Sequence, residues 1–170
     1  MTSDRLDTPP NPEQTPAILT PTQFLGHWQG HRRLTRRVIC AFPEDQLFSF
    51  TAASGMRPFG TLGWEILNVA GYTLAALQSG DWAWPSERPA EPAPEQAALL
   101  NAWDELTVRL DTGWPALDMG SLSVEQDIPW GRQTAMSAAL YALDNEVHHR
   151  AQGYVYLRAL GLDVPPFWER

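Results

Sequence analysis

The sequence predicts an all-α fold, a four-helix bundle with long crossover connections. Three observations predict it. Apolar residues recur at helical spacing in four separated segments, no stretch alternates convincingly as a strand would, and proline- and glycine-rich connections divide the segments. At 170 residues the chain has the length of one domain, and 44% hydrophobic content with eight tryptophans suffices for a single sizeable core.

Residues 1–20 hold four prolines and few large apolar side chains, too little to offset the entropy of ordering, and read as a flexible tail ahead of a single domain over 21–170. Thr20 suits a helix N-cap and Pro21 the first helical position. Phe24, Trp28, Thr35 and Val38 follow at helical spacing, which predicts a first helix over 21–41 that stops before Pro43. A second stripe through Phe59, Leu62, Ile66, Val69, Thr73 and Leu77 ends near Gly80. The proline-rich "WAWPSERPAEPAPE" must be irregular. A third helix over about 95–111 then places Ala98, Leu99, Ala102, Trp103, Leu106 and Leu110 on one side. Residues 112–131, rich in Gly and Pro with only "SLSVEQ" suggesting an extended piece, cross over the bundle or cover a site. The fourth helix is expected over 132–160, stopped by Gly161 and "DVPP".

Twelve Lys plus Arg against twenty Asp plus Glu give a formal charge of -8, which argues against nucleic-acid binding because no broad basic footprint is available for phosphates. A small-molecule ligand or another protein surface fits better. Cys40 is the single cysteine, so an intramolecular disulfide is excluded and a reducing cytoplasm is expected; nothing in the sequence identifies a base beside its thiol. No apolar run approaches the roughly 18 residues of a membrane span, and "MTSDRLDTPPNPEQTP" lacks the regions of a signal peptide.

The fourth helix carries two stripes. Ala139, Leu143, Val147, Tyr154 and Leu157 make an apolar or mixed one, and Thr134, Tyr141, Asn145, His149, Gln152 and Tyr156 make one of uncharged hydrogen-bonding groups. Asn145 and His149, four residues apart, can direct an amide oxygen and an imidazole nitrogen at one point, either as two ligands of one ion or as a hydrogen-bonded pair inside the bundle. His27 and His31 in "GHWQGH" share that spacing and are better transition-metal ligands by type, but "RRLTRR" beside them disfavours a cation. His148 projects to a different face from His149, and Arg150 is expected to pair with Glu146 at the surface. "PPFWER" is expected to cap the bundle end or pack at a dimer interface.

Residues 145–170, "NEVHHRAQGYVYLRALGLDVPPFWER", and 55–72, "GMRPFGTLGWEILNVAGY", resemble two motifs of the DinB/YfiT-like superfamily of metal-dependent enzymes, in the same order and at bundle-compatible spacing. The resemblance spans about residues 20–170. It implies a four-helix bundle with a crossover connection, in which one histidine of the second helix and two of the fourth hold a divalent metal. The second histidine of the fourth helix corresponds to His149, which is kept. The first corresponds to Asn145, and the second-helix histidine to Glu65, six residues after Phe59.

One carboxylate, one amide oxygen and one imidazole form a harder donor set than three imidazoles, suited to Mn, Fe, Mg or Ca more than to tight zinc binding. Two readings stay open. In the first the chain is an enzyme whose metal (Mn, Fe, Ni or Zn) is held by Glu65, Asn145 and His149, with Glu65 and His149 catalytic. The resemblance then implies thiol-dependent transfer, using low-molecular-weight thiols such as bacillithiol or mycothiol, or hydrolysis. In the second no metal binds, Glu65 hydrogen-bonds His149 directly, and the chain is a small-molecule-binding or stress-associated protein. A homodimer is implied by the family.

Overall fold

A computed structural model describes residues 19–84 and 93–170. Nearly all of the expected N-terminal tail and most of the proline-rich connection lie outside the described residues. The chain is mostly helical: α1 (Pro21–Ala41), the short α2 (Glu44–Leu47), α3 (Phe59–Ser79), α4 (Gln96–Gly113) and α5 (Ala135–Ala159), with one two-stranded sheet, β1 (Glu125–Ile128) and β2 (Gly131–Thr134).

Local signals fix the long helices. Thr20 and Gln23 form a reciprocal capping box at α1, each side chain accepting from the other's backbone N–H at 3.2 and 2.9 Å. Gly80, with φ of 73°, stops α3 in the left-handed region that glycine adopts without strain. Thr134 caps α5 by accepting from the Ser137 N–H at 3.1 Å.

The third and fourth helices differ in their bounds from the sequence reading. α4 runs two residues further, to Gly113. α5 begins at Ala135 and not at 132, because Arg132, Gln133 and Thr134 pair with Asp127, Gln126 and Glu125 in an antiparallel hairpin whose turn is Pro129–Trp130. The segment expected to be a crossover loop is thus partly a hairpin.

α1 and α3 each pack against both α4 and α5. Phe24, Trp28 and Trp114 interlock at one end, with Phe24 stacked on Trp114 at 4.9 Å and Trp28 edge-on to it at 6.0 Å. Phe42 stacks on Phe59 at 5.0 Å. Each such ring takes roughly 150–250 Å² out of water, at about 25 cal/mol per Å². Gly153 lets α5 approach α3, since a Cβ there would lie 2.5 Å from Cε2 of Phe59. Tyr156, fully buried, donates its hydroxyl to the Arg57 carbonyl at 2.9 Å and so ties α5 to the turn that leads into α3. Both contacts lie within two turns of His149.

Candidate active site between α3 and α5

Glu65 on α3 and His149 on α5 meet: His149 Nε2 lies 3.0 Å from Glu65 Oε1. Arg57 Nη1 donates to Glu65 Oε2 at 2.5 Å. Burial pushes the Glu65 carboxyl up, but the hydrogen bonds and charges of Arg57 and His149 outweigh it together, so the carboxyl stays below the ordinary carboxylate range. The pair is reachable from solvent through Glu65, whose side chain is 32% exposed against 7% for His149.

Gln152 sets the imidazole. Its Nε2 lies 3.3 Å from His148 Nε2 and its Oε1 lies 3.3 Å from His149 Nδ1. With the amide placed so, Nδ1 donates to Oε1, and Nε2 turns its lone pair toward the Glu65 carboxylate. Two acceptors facing each other at 3.0 Å need one positive centre between them, a shared proton or a metal ion. Asn145, one turn before His149, is buried, and its Oδ1 has no hydrogen-bond partner among the described residues. An unsatisfied buried acceptor costs roughly 1–3 kcal/mol, so this oxygen calls for a donor or a cation. Among the described residues no three His, Cys, Asp or Glu side chains cluster as a metal site. The donor set therefore fits a divalent ion only with Asn145 as its third member, and Arg57 competes for one Glu65 oxygen.

The other motif histidines behave differently. His27 and His31 do come together, Nε2 to Nε2 at 3.2 Å. Arg150 Nη2 lies 2.9 Å from His31 Nδ1 and Arg170 Nη1 lies 3.0 Å from its Nε2, so guanidinium groups face both ring nitrogens and disfavour a cation there. Burial first, then Arg150, His27 and Arg170, lower the His31 pKa to about 3. His27 and His31 thus form an internal contact, and the arginines that face it are Arg150 and Arg170, not those of "RRLTRR".

The expected surface pair of Glu146 and Arg150 is instead buried. Glu146 is fully enclosed, and its Oε1 accepts from Thr35 at 2.6 Å. Arg150 donates to Thr35 Oγ1 at 3.1 Å and to the His31 carbonyl at 3.3 Å, with Glu146 at 3.9 Å. Arg32, also fully enclosed, donates to the Trp103 carbonyl at 2.8 Å and to Thr107 at 2.9 Å and lies over the Trp103 ring at 4.2 Å. Burial lowers the Arg32 pKa to about 10 against the opposing pull of Glu146, and burial raises that of Glu146. Conversely, Val147, read as part of the apolar stripe, is exposed.

Sequence reasoning also missed an aromatic wall beyond Asn145. Tyr72 of α3 stacks on Trp84 at 4.9 Å, Trp84 meets Trp130 of the hairpin turn at 5.7 Å, and Trp130 meets Tyr141 of α5 at 5.7 Å. No local sequence signal brings these four rings together; only the hairpin and the helix packing do.

A family model described as the DinB family matches residues 14–170. The chain belongs to the DinB family. Two solved DinB-like proteins share its fold. One from Bacillus subtilis is 21% identical over 87% of this chain and 99% of its own, with a TM-score of 0.67. One from Bacillus cereus is 18% identical over 85% and 95%, with a TM-score of 0.68. Among curated proteins none matches the chain. No helix among the described residues is long and apolar enough to cross a membrane.

Proposed function

We propose that this DinB-family chain is a metal-dependent enzyme acting on a small molecule at the α3–α5 site, with Glu65, Asn145 and His149 as the ligands of a divalent ion such as Mn, Fe, Ni or Zn. The observation behind this reading is the buried, unpartnered Asn145 Oδ1 one turn before His149, whose imidazole meets Glu65. The four long helices are read as a four-helix bundle, with the hairpin-bearing connection crossing near the site.

Thiol-dependent transfer is the leading reaction class and hydrolysis the alternative within it. When bound, the ion would supply Lewis acidity that lowers the pKa of a thiol or water. The chain's own residues prepare for that. Gln152 orients His149, Arg57 keeps Glu65 anionic through Oε2, and Oε1, facing His149 Nε2, is the oxygen that would hold a ligand or take a proton. The aromatic wall offers an apolar substrate a surface two turns along α5 from His149.

A second reading is favoured by one observation, the direct Glu65–His149 contact braced by Arg57, which also suits a metal-free binding protein in which a proton fills the gap. Elemental analysis of purified protein, with a screen of thiol transfer and ester hydrolysis, separates the two. The enzyme reading expects bound metal and activity in the wild type and loss of both in Glu65→Ala and His149→Ala. Full activity in both variants would refute the site.

A further inference from the structure

The stretch after α5 is strapped down at two points. Tyr154 donates its hydroxyl to the Pro165 carbonyl at 2.7 Å, and at the far end Glu169 accepts from Arg37 at 3.1 Å while Arg170 lies 3.0 Å from His31. Between these anchors the chain arches over the outer face of α5. The arch encloses a half-open groove of about 470 Å³, floored by Val147, Ala151 and Arg158 and walled by Pro165, Phe167 and Trp168. That volume lies within the roughly 300–1,000 Å³ of small-molecule sites. The groove follows α5 for eleven residues, about 16 Å at the helical rise.

Its lining side chains are apolar except for two guanidinium groups, the Trp168 indole N–H and the tyrosine hydroxyl already given to Pro165. Among the described lining residues there is no carboxylate, although the chain as a whole carries -8. Arg150 is committed inward to His31 and Thr35. Arg158 is exposed, lies over the Tyr154 ring at 5.7 Å and has no carboxylate partner among the described residues. Phe167 and Trp168 stay 62% and 70% exposed, much apolar surface for a strap pinned at both ends.

We propose that this groove is a second ligand site, separate from the α3–α5 site, and that it takes an amphipathic carboxylate: an apolar body under the Pro165–Trp168 arch and the carboxylate on Arg158. Charge complementarity sets the sign of the head group, and the apolar floor and length of the groove set the extended body.

The test is calorimetric titration of the full-length chain with decanoate, decanol and decyltrimethylammonium. Decanoate should bind at least tenfold more tightly than the cation of like chain length, a factor set by one charge-assisted contact. Arg158→Ala should weaken decanoate by about tenfold and leave decanol unchanged, with Arg158→Lys in between. Ala151→Trp, at an exposed helix position that tolerates bulk, should abolish binding of both, and His149→Ala should change neither. Equal affinity for anion and cation, wild-type affinity in Arg158→Ala, or no binding at all would overturn the proposal. So would a dimer that Ala151→Trp disperses, which would assign the groove to a second copy of the chain.

Discussion

Helix α5 presents two polar regions built from adjacent residues, and they differ in kind. Glu146 and Arg150 turn toward α1 into a sealed network with Thr35, His31 and Arg32. Asn145 and His149 stand each one position earlier; His149 turns toward α3 and meets Glu65 at an edge open to solvent, and Asn145 is buried one turn before it. In the sealed network Arg32 and Glu146 bear opposite charges that attract, and the Trp28 indole lies against the Glu146 carboxyl. In the open region the unpartnered atom is a lone acceptor, Asn145 Oδ1, one turn before the histidine that meets Glu65. Opposite charges are enclosed together on one side of the helix, and an unmet acceptor stands alone on the other, which is why the proposed site is placed there.

The comparison breaks first where charge is fully enclosed. Glu146→Ala leaves Arg32 and Arg150 without their anion and should lower unfolding free energy by about 3–5 kcal/mol, read by urea denaturation. A loss under about 1 kcal/mol would mean the network is not a structural element. Gly153→Ala drives a methyl into Phe59 where α5 meets α3 and should cost about 1–3 kcal/mol. It should also weaken any ligand of Glu65 and His149, which that close approach brings together.

The pH response sharpens the contrast. Above its ordinary value of 6.5 His31 is neutral whether the chain is folded or not. Below that, the unfolded chain binds a proton that the folded state, with a pKa of about 3, refuses. Stability should thus fall as pH drops from 6.5 toward 3, and His31→Gln, which keeps an acceptor for Arg150, should flatten that part of the profile. The smallest effect belongs to the open region. Arg57→Ala should change stability by roughly 0–1 kcal/mol, because Arg57 is half exposed. It should return the Glu65 carboxyl toward its ordinary pKa. Glu65's stabilisation is present above that ordinary value and lost as pH falls through the depressed one, so the variant narrows this acid window.

Long-range periodicity made the four long helices legible, down to the Thr20–Pro21 start of α1 and the Gly80 stop of α3. The hairpin was not legible, because two four-residue strands of mainly polar residues, "EQDI" and "GRQT", give no alternation to read. The one-turn α2 was likewise too short to carry a period. In the candidate site, Glu65 and His149 were placed by motif position, and the structure brings them into contact. Arg57 escaped because it sits in an irregular turn, and Gln152 was read as part of the polar stripe without a role because it acts only through an imidazole. Glu146 and Arg150 misled because a charged pair four residues apart on a helix normally faces water. Nothing in their spacing reports that Thr35 and His31, more than 100 positions away, close over them.

The central claim is that α5 and α3 together offer a cation three donors, with Asn145 as the third. Calorimetric titration of Mn and Ni into wild type, His149→Ala and Asn145→His tests it most directly. The account predicts near-stoichiometric binding to wild type, none to His149→Ala, and tighter binding to Asn145→His, where a second imidazole replaces the weaker amide oxygen. If neither wild type nor Asn145→His binds either ion, the Glu65–His149 contact is a proton-filled hydrogen bond and the metal-site account is wrong.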